Sequence, residues 1–492
     1  MEYILAVDQS TSATKALIYD ARGKLIAKAS LDHRQHYPRP GWVEHDAEEI
    51  WRNTLSVLKA VVTKNDDLVG DMVCLSITNQ RETIVVFDRK TGCPLHNAIV
   101  WQCRRGDSIC KELAGSSHDD DVRRITGLKI DSYFSAPKLT WLVRNKPALK
   151  KKLENGEALV GTIDAYLIYR LTGGRTFATD HTNASRTLLY DIGRLRWDEG
   201  LCDLFEVPAK AMPEVRESAA LYGETDIDGL LDKPLPICGV MGDSQASLFA
   251  QRCFKPGMAK VTFGTGSSVL LNIGSERRPT ESGVVTTIAW VYRGEPTYSF
   301  EGIINYSAAT LTWLKNQLGL IDDFRETEPL ATAVEDNGGV YLVPAFGGLS
   351  APYWSPTARA AIIGMTAHSN KKHVVRAALE SIAYQIRDAL DMMKKDAGVS
   401  LKSIHGDGGV TANGFVMQFT ADMLGLELKV SDIPEFSPLG AALSGTLGIG
   451  VHGSLADIAA LPRKLTCYQP AMAPEKVEKY FRGWKRAVAR VL

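Results

Sequence analysis

The sequence carries no excess of either charge. Its 57 Lys and Arg residues balance 57 Asp and Glu residues, and the isoelectric point is near 7.1. That excludes a bulk electrostatic draw toward nucleic acid or an anionic membrane. The chain also lacks any apolar run close to the roughly 18–20 residues that a bilayer requires. Its first residues show no basic stretch followed by a long apolar core, so no secretory leader is expected. No membrane insertion, no nucleic-acid partner and a cytoplasmic location are the corresponding expectations. The eight cysteines (74, 93, 103, 110, 202, 238, 253 and 467) are scattered, none forms a CxxC pair, and Cys103 and Cys110 lack the His or Cys neighbours of a zinc site. Eight in 492 residues is too sparse for a disulfide scaffold, so free thiols are expected. Both common nucleotide loops are missing too: there is no GxxxxGK[ST], and no GxGxxG opens a helix.

What remains is the composition of an ordinary globular protein, 45% hydrophobic and 23% charged. At 492 residues two domains are the default, since single cores stop growing near about 250–300 residues. The stretch "ILAVDQSTSATKALIYDARGKLIAK" (4–28) reads as three short strands. Between the first two lies a turn that follows Asp8 and holds Ser10, Thr11, Ser12 and Thr14; Arg22-Gly23-Lys24 makes the second turn. Ile50, Trp51, Leu55, Leu58, Val61 and Val62 recur at three-and-four spacing, which predicts a helix over 47–64 capped by Asp46. A strand at 73–77, a hairpin from 84–88 on into 98–101, and helical periodicity over 138–170 follow. The alternation predicts an α/β chain.

The design of the opening then recurs. In "MAKVTFGTGSSVLLNIG" (258–274) a strand enters the turn Gly264-Thr265-Gly266-Ser267-Ser268 and a second strand leaves it. Helical segments at 302–318 and 371–396, a strand ending in "GDGG" (406–409) and a helix from about Asn413 complete the second half. The chain reads as two halves of one architecture divided near residue 250.

Small and hydroxyl residues in a tight turn leave backbone N–H groups and hydroxyls unobstructed, which is the chemistry of a phosphate cradle. Two such turns facing one another would grip a polyphosphate from both sides. Asp8 beside the first suits a divalent cation, because magnesium takes few carboxylates and completes its shell with phosphate and water. The glycines of "GDGGVTANGFVMQFTADMLG" (406–425) would let a base, ribose or phosphate approach the backbone.

Beyond these turns, "AVDQSTSATKA" (6–16), "ITNQRETIVVFDRKTGCPLHNAIVWQCRR" (77–105), "SYFSAPKLTWL" (132–142), "TDHTNASRTLLYDI" (179–192), "GDSQASLFAQ" (242–251), "VPAFGGLSAPYWSPTARAAIIGMT" (343–366) and "AALESIAYQIRD" (377–388) complete a set that runs the length of the chain. In this order the segments resemble the FGGY family of carbohydrate kinases, and within it the glycerol kinases most. The resemblance implies an α/β fold of two actin-like domains around a central cleft, the architecture of sugar kinases, heat-shock-type ATPases and ribonuclease H-like proteins. Residues 1–249 would carry the polyol or sugar and residues 250–492 the nucleotide. It implies ATP-dependent phosphorylation of a polyol or sugar hydroxyl, with Mg2+, and a homodimer or homotetramer.

The resemblance also assigns residues. Asp243 matches the catalytic base. Arg81 and Glu82 match the pair that holds the acceptor's hydroxyls, with Tyr133 as a further contact and Trp101 as a pocket wall. Thr11, Ser12 and Lys15 match the first phosphate turn, and Gly264 and Thr265 the second. Gly408, Gly409 and Asn413 match the adenine-ribose side. Asp8 and Asp243 match the magnesium side. Three positions depart from the glycerol-kinase pattern: Ser244 stands for a glutamine, Ser268 for a phenylalanine against the acceptor, and Ser10 for a glycine. Loss of a buried phenylalanine contact removes about 1–2 kcal/mol and opens space. A larger polyol or ketose, of the erythritol, ribitol or xylulose type, is therefore the alternative acceptor, lined by Ser244 and Ser268. A non-catalytic actin-like protein is the remaining class, and it leaves Asp8, Asp243 and the Arg81–Glu82 pair unexplained.

Overall fold

The computed structural model describes every residue of the chain except 116, 117, 281, 282, 350, 351, 354 and 356. The last four fall within the 343–366 motif, and that part of it lies outside the described residues.

The opening meander forms as the sequence predicts: β1 (Tyr3–Gln9), β2 (Ala13–Asp20) and β3 (Leu25–Asp32). Helix α1 (Ala47–Lys64) packs over it, burying Ile50, Val57, Leu58, Val61 and Val62. Its first turn is closed by Asp46, whose carboxylate accepts the Glu48 N–H at 2.9 Å. With β4 (Met72–Asn79), β5 (Leu221–Thr225) and β6 (Leu235–Gly242), the meander makes a six-stranded sheet in the order β5-β6-β4-β1-β2-β3. Strands β1, β4 and β6 run parallel; the others are antiparallel to their neighbours.

The second half repeats this. Strands β7 (Met258–Phe263), β8 (Ser267–Gly274), β9 (Val285–Tyr292), β10 (Glu295–Ile304), β11 (Ser403–Asp407), β12 (Leu428–Ser431) and β13 (Leu465–Tyr468) form a sheet in the order β9-β10-β8-β7-β11-β12-β13. Here β7, β11 and β12 are the parallel strands, so β7-β8-β10 repeats β1-β2-β3, and β11 and β12 repeat β4 and β6. Each sheet has its own apolar core, with Leu5, Val7, Ile18, Leu75 and Ile77 in the first and Val261, Leu271, Phe300, Ile382 and Ile404 in the second. The architecture is α/β, with one mixed sheet in each half of the chain.

Three sequence expectations need correction. The 138–170 region is not one helical stretch: α2 (Ser135–Asn145) and a short helix Pro147–Glu154 are followed by a strand, Ala158–Thr162, before helix Ile163–Leu171. The chain turns out of the helical path at Gly156, with φ of 73°. The 84–101 hairpin is slight. Strand Ile84–Asp88 meets Ala98–Ile99 only at Ile84 and pairs along its length with Ala158–Thr162, a partner distant in sequence. The 302–318 segment begins in β10, and its helix spans Ala308–Asn316.

A helix of the second half packs on the first sheet. Helix α3 (Asp243–Ala250) follows β6, and helix α6 (Phe436–Gly448) packs on α3, β6, β4 and β1. The long α4 (Lys371–Ala397) and α5 (Gly414–Leu424) stay with the second sheet. Glycines make the close approach of α6 possible. A methyl group on Gly440 would sit 1.8 Å from the Ala246 carbonyl oxygen, and one on Gly445 2.4 Å from the Ser76 hydroxyl.

Candidate active site

The parallel strands β1, β4, β6, β7 and β11 end at Gln9, Asn79, Gly242, Phe263 and Asp407. Asp8, Arg81–Glu82, Asp243, Gly264–Thr265 and Gly408–Gly409 all sit at those carboxyl ends, where open α/β sheets place their ligands. The site follows from strand direction.

The antiparallel register of β1 and β2 sets Lys15 opposite Asp8. The Lys15 ammonium lies 3.3 Å from the Asp8 carboxylate and donates to Glu435 at 2.9 Å. Glu435, just before α6, also takes Lys28. Burial pushes the Asp8 carboxyl up to about 6, against the pull of Lys15 and with the push of Glu435 and Asp243. In the turn, Ser10 bonds the Ala13 carbonyl through its hydroxyl at 2.9 Å, which keeps the hairpin tight without a glycine. Ser12 is exposed. Thr11 reaches sideways: its hydroxyl accepts the Trp101 indole N–H at 3.0 Å, and its carbonyl lies 2.9 Å from a His33 ring nitrogen. The first turn is thus joined to an aromatic pair, Trp101 and Tyr133, which meet edge to face with centroids 5.4 Å apart.

Behind Tyr133, the Lys138 ammonium is wholly buried in α2 and donates to the carbonyls of Ser132, Tyr133 and Phe134 at 2.6, 2.7 and 2.8 Å. Burial lowers it to about 8. It ties down the loop that presents Tyr133. Burial and the nearby Glu82 raise the tyrosine, so it remains a neutral hydroxyl.

Arg81 and Glu82 leave β4 in a strained turn, with Glu82 at φ of 61°. Arg81 is 5% exposed and Glu82 1%. The Arg81 Nε lies 3.1 Å from Oδ1 of Asp243, the first residue of α3. Gly242, before it, leaves room for the arginine: a methyl there would stand 2.7 Å from Arg81 Cγ. The Ser244 N–H donates to Asp243 Oδ1 at 2.7 Å, and the Ser437 hydroxyl of α6 donates to the Asp243 carbonyl at 2.9 Å.

The sequence reading missed Glu301 and Arg186. Glu301, in β10, accepts from Arg81 at 2.6 and 3.2 Å and pairs with Arg186 at 2.6 Å. Arg186 donates to Glu82 at 2.6 Å. Burial opposes the Glu301 charge, but Arg186 and Arg81 outweigh it and hold the carboxyl at about 2. For Glu82, burial outweighs the same two arginines and raises it. A signal was present: a lone carboxylate inside the apolar run "YSFEGII" must find a cation.

In the second turn, the Gly264 N–H bonds the Gly266 carbonyl at 3.0 Å, and the Gly264 and Thr265 carbonyls accept from Ala308 and Ala309. The turn therefore anchors the helix Ala308–Asn316 and leaves the Thr265 side chain exposed. Ser268 enters β8 with its hydroxyl buried and, among the described residues, unpartnered. Gly408 lies against the end of β7 at φ of 97°, where a methyl would come 2.5 Å from the Phe263 carbonyl oxygen. Asn413 caps α5 by accepting the Val416 N–H at 3.0 Å and donates to Thr327 at 3.1 Å. Glu328 accepts the Gly414 and Phe415 N–H groups at 3.1 and 3.0 Å. A carboxylate already fills that helix terminus, so the Gly408–Asn413 corner suits a base or ribose better than a phosphate.

Asp8 and Asp243 are the cleft carboxylates fit for a cation. Among the described residues no group of three or more His, Cys, Asp or Glu side chains forms a metal cluster. A pair of carboxylates whose remaining ligands would be phosphate and water suits magnesium rather than zinc. No helix among the described residues is long and apolar enough to cross a membrane.

Known proteins share this sequence and fold. The family model described as the N-terminal domain of the FGGY family of carbohydrate kinases matches residues 3–250, and the C-terminal model matches residues 259–448. Glycerol kinase 1 of Thermotoga maritima is 46% identical over 490 residues, covering 100% of this chain and 99% of its own. Glycerol kinase of Caldanaerobacter subterraneus is 45% identical over 491 residues, with 100% and 99% covered. The crystal structure of Plasmodium falciparum glycerol kinase with ADP superposes with a TM-score of 0.95 at 37% identity, covering 100% of this chain and 98% of that one. A ligand-bound xylulose kinase from Lactobacillus acidophilus shares the fold, with a TM-score of 0.89 at 21% identity and coverage of 99% and 97%. The chain belongs to the FGGY family of carbohydrate kinases and is a phosphotransferase that acts on an alcohol group.

Proposed function

We propose that the chain transfers the γ-phosphate of ATP to a hydroxyl of a small polyol, with glycerol as the first acceptor. The observation that carries this reading is the contact of the buried Arg81 with the solvent-accessible Asp243 at 3.1 Å, beside Glu82. Guanidinium donates, carboxylate accepts, and a polyol hydroxyl does both. Arg81, Glu82 and Tyr133 orient the acceptor against Trp101. Asp243 accepts the hydroxyl proton as the acceptor oxygen bonds to the γ-phosphorus and the bond from that phosphorus to the β–γ bridging oxygen breaks. Thr11, Ser12 and Lys15 meet the phosphates from one side, Gly264 and Thr265 from the other. Gly408, Gly409 and Asn413 receive the adenosine. Asp8 and Asp243 hold Mg2+, which neutralises phosphate charge when bound.

In this reading residues 1–249 form the acceptor half and residues 250–492 the nucleotide half, with α6 returning to brace the first sheet. The cytoplasm supplies the ATP. Sedimentation would reveal the two- or four-copy assembly that the family suggests.

Ser244 and Ser268 favour a second reading, a four- to six-carbon polyol or ketose. Both are smaller than the glutamine and phenylalanine that the glycerol-kinase pattern has at these positions. The deciding experiment follows ADP release with Mg-ATP against glycerol, dihydroxyacetone, erythritol, ribitol, xylitol and D-xylulose. The highest kcat/KM for glycerol supports the first reading. A tenfold preference for a longer acceptor, about 1.4 kcal/mol in the transition state, supports the second.

A further inference from the structure

Glu301 lies within β10, a strand of the second sheet, and its side chain is fully buried. An ionised carboxylate survives there only if its oxygens are matched by cations. Its Oε1 accepts from Arg81 Nη2 at 2.6 Å and its Oε2 from Arg81 Nη1 at 3.2 Å. Two parallel bonds fix the plane of a guanidinium, where a single bond would let it rotate. With the plane fixed, the remaining edge of Arg81 sets Nε 3.1 Å from Asp243 Oδ1, and Gln245 accepts from Nη1 at 3.1 Å. The other arm runs from Glu301 Oε2 to Arg186 Nη1 at 2.6 Å and from Arg186 Nε to Glu82 Oε1 at 2.6 Å. Charges alternate along one chain that runs from the partly exposed Asp243 through the buried Arg81, Glu301, Arg186 and Glu82. Four of these come from the first 250 residues; Glu301 alone comes from the sheet that carries the second phosphate turn.

We propose that Glu301 is a positioning residue for the phosphoryl transfer: it holds Arg81, and through Arg81 the Asp243 carboxylate, in the arrangement the acceptor needs. The acceptor side is then completed by a group from the nucleotide side. This rests on the reading of Arg81 and Asp243 as acceptor-side groups. Glutamine at 301 would keep the shape but turn an N–H donor toward a guanidinium, so the fork would be lost.

The test is steady-state kinetics with glycerol and Mg-ATP, alongside ADP affinity by calorimetry, for Glu301→Gln, Glu301→Asp, Arg81→Lys and the Arg81→Lys/Glu301→Gln double variant. The proposal expects Glu301→Gln to raise the glycerol KM tenfold or more while the ADP Kd stays within threefold. Glu301→Asp, which keeps the charge, should recover part of that loss. In the Arg81→Lys background the Glu301→Gln change should cost less than a further threefold, since the residue acts through an arginine no longer present. If Glu301→Gln does not fold, as judged by its melting transition, Glu301→Asp alone and in the Arg81→Lys background carries the same comparison. A glycerol KM unchanged by Glu301→Gln but raised by Arg81→Lys overturns the proposal and leaves the acceptor reading standing. So do losses that simply multiply. A glycerol KM that Arg81→Lys does not move overturns the acceptor reading, and the proposal with it.

Discussion

Arg81 meets three partners from two segments, Asp243 and Gln245 of α3 and Glu301 of β10, and so reports how the site was built. Asp8, Lys15, Arg81, Glu82 and Asp243 were legible in the sequence because they stand in short motifs at strand ends, where local order decides their place. Glu301 and Arg186 were not legible as site residues. Their partners lie up to 220 positions away, and only the fold brings them together. Ser268 belongs to this scale as well. Its small side chain, where the glycerol-kinase pattern has a phenylalanine, is the basis of the larger-acceptor reading. Ser268→Phe is expected to fill that space and to cut kcat/KM for erythritol or ribitol at least tenfold, about 1.4 kcal/mol, while glycerol changes less than threefold. Equal losses for all acceptors would remove Ser268 from the account of specificity.

At the scale of elements, α6 matters most, because it braces α3, whose first residue is Asp243. Its glycines were visible in "FSPLGAALSGTLGIG", yet nothing local said that a helix from the second half would pack on the first sheet. Periodicity gives a helix and its apolar face but not its partner. The 138–170 region failed for a related reason: a five-residue apolar strand between helices has the same short-range pattern as a helix turn, and only pairing with Ile84–Asp88 settles it. Gly440→Ala would force α6 away from α3, since the added methyl meets a backbone oxygen at 1.8 Å. Overpacking of this kind costs about 1–3 kcal/mol. Urea unfolding should register that loss, and kcat should fall as Asp243 shifts, with Glu301→Gln-like effects on the glycerol KM absent. A Gly440→Ala protein of parental stability would show that the helices do not pack as closely as described.

Over the whole molecule the repeat of strand order was the most legible feature, because the two hydroxyl-rich turns mark equivalent points of the two sheets. Long-range charge and buried histidines were the least. His45, His181 and His405 are buried, and burial lowers them to about 3, 4 and 3. Their folded pKa values lie below the unfolded value of about 6.5, so the unfolded chain binds more protons between those limits. Stability from this source is fully present above pH 6.5 and is lost as pH falls. Each histidine accounts for about 2 kcal/mol of loss between pH 6.5 and 5. His405→Gln can keep the bond to Ser403, 3.2 Å from the imidazole, and should reduce the acid-induced loss by about that amount in urea titrations at pH 7 and 5; an unchanged loss would mean that His405 titrates normally. The central claim is phosphoryl transfer to an alcohol with Asp243 as base, and the most direct measurement is ADP release with Mg-ATP and glycerol for the parent and Asp243→Asn. The account predicts turnover in the parent and a kcat roughly 10²–10⁴-fold lower in the variant. Equal turnover in both would contradict it.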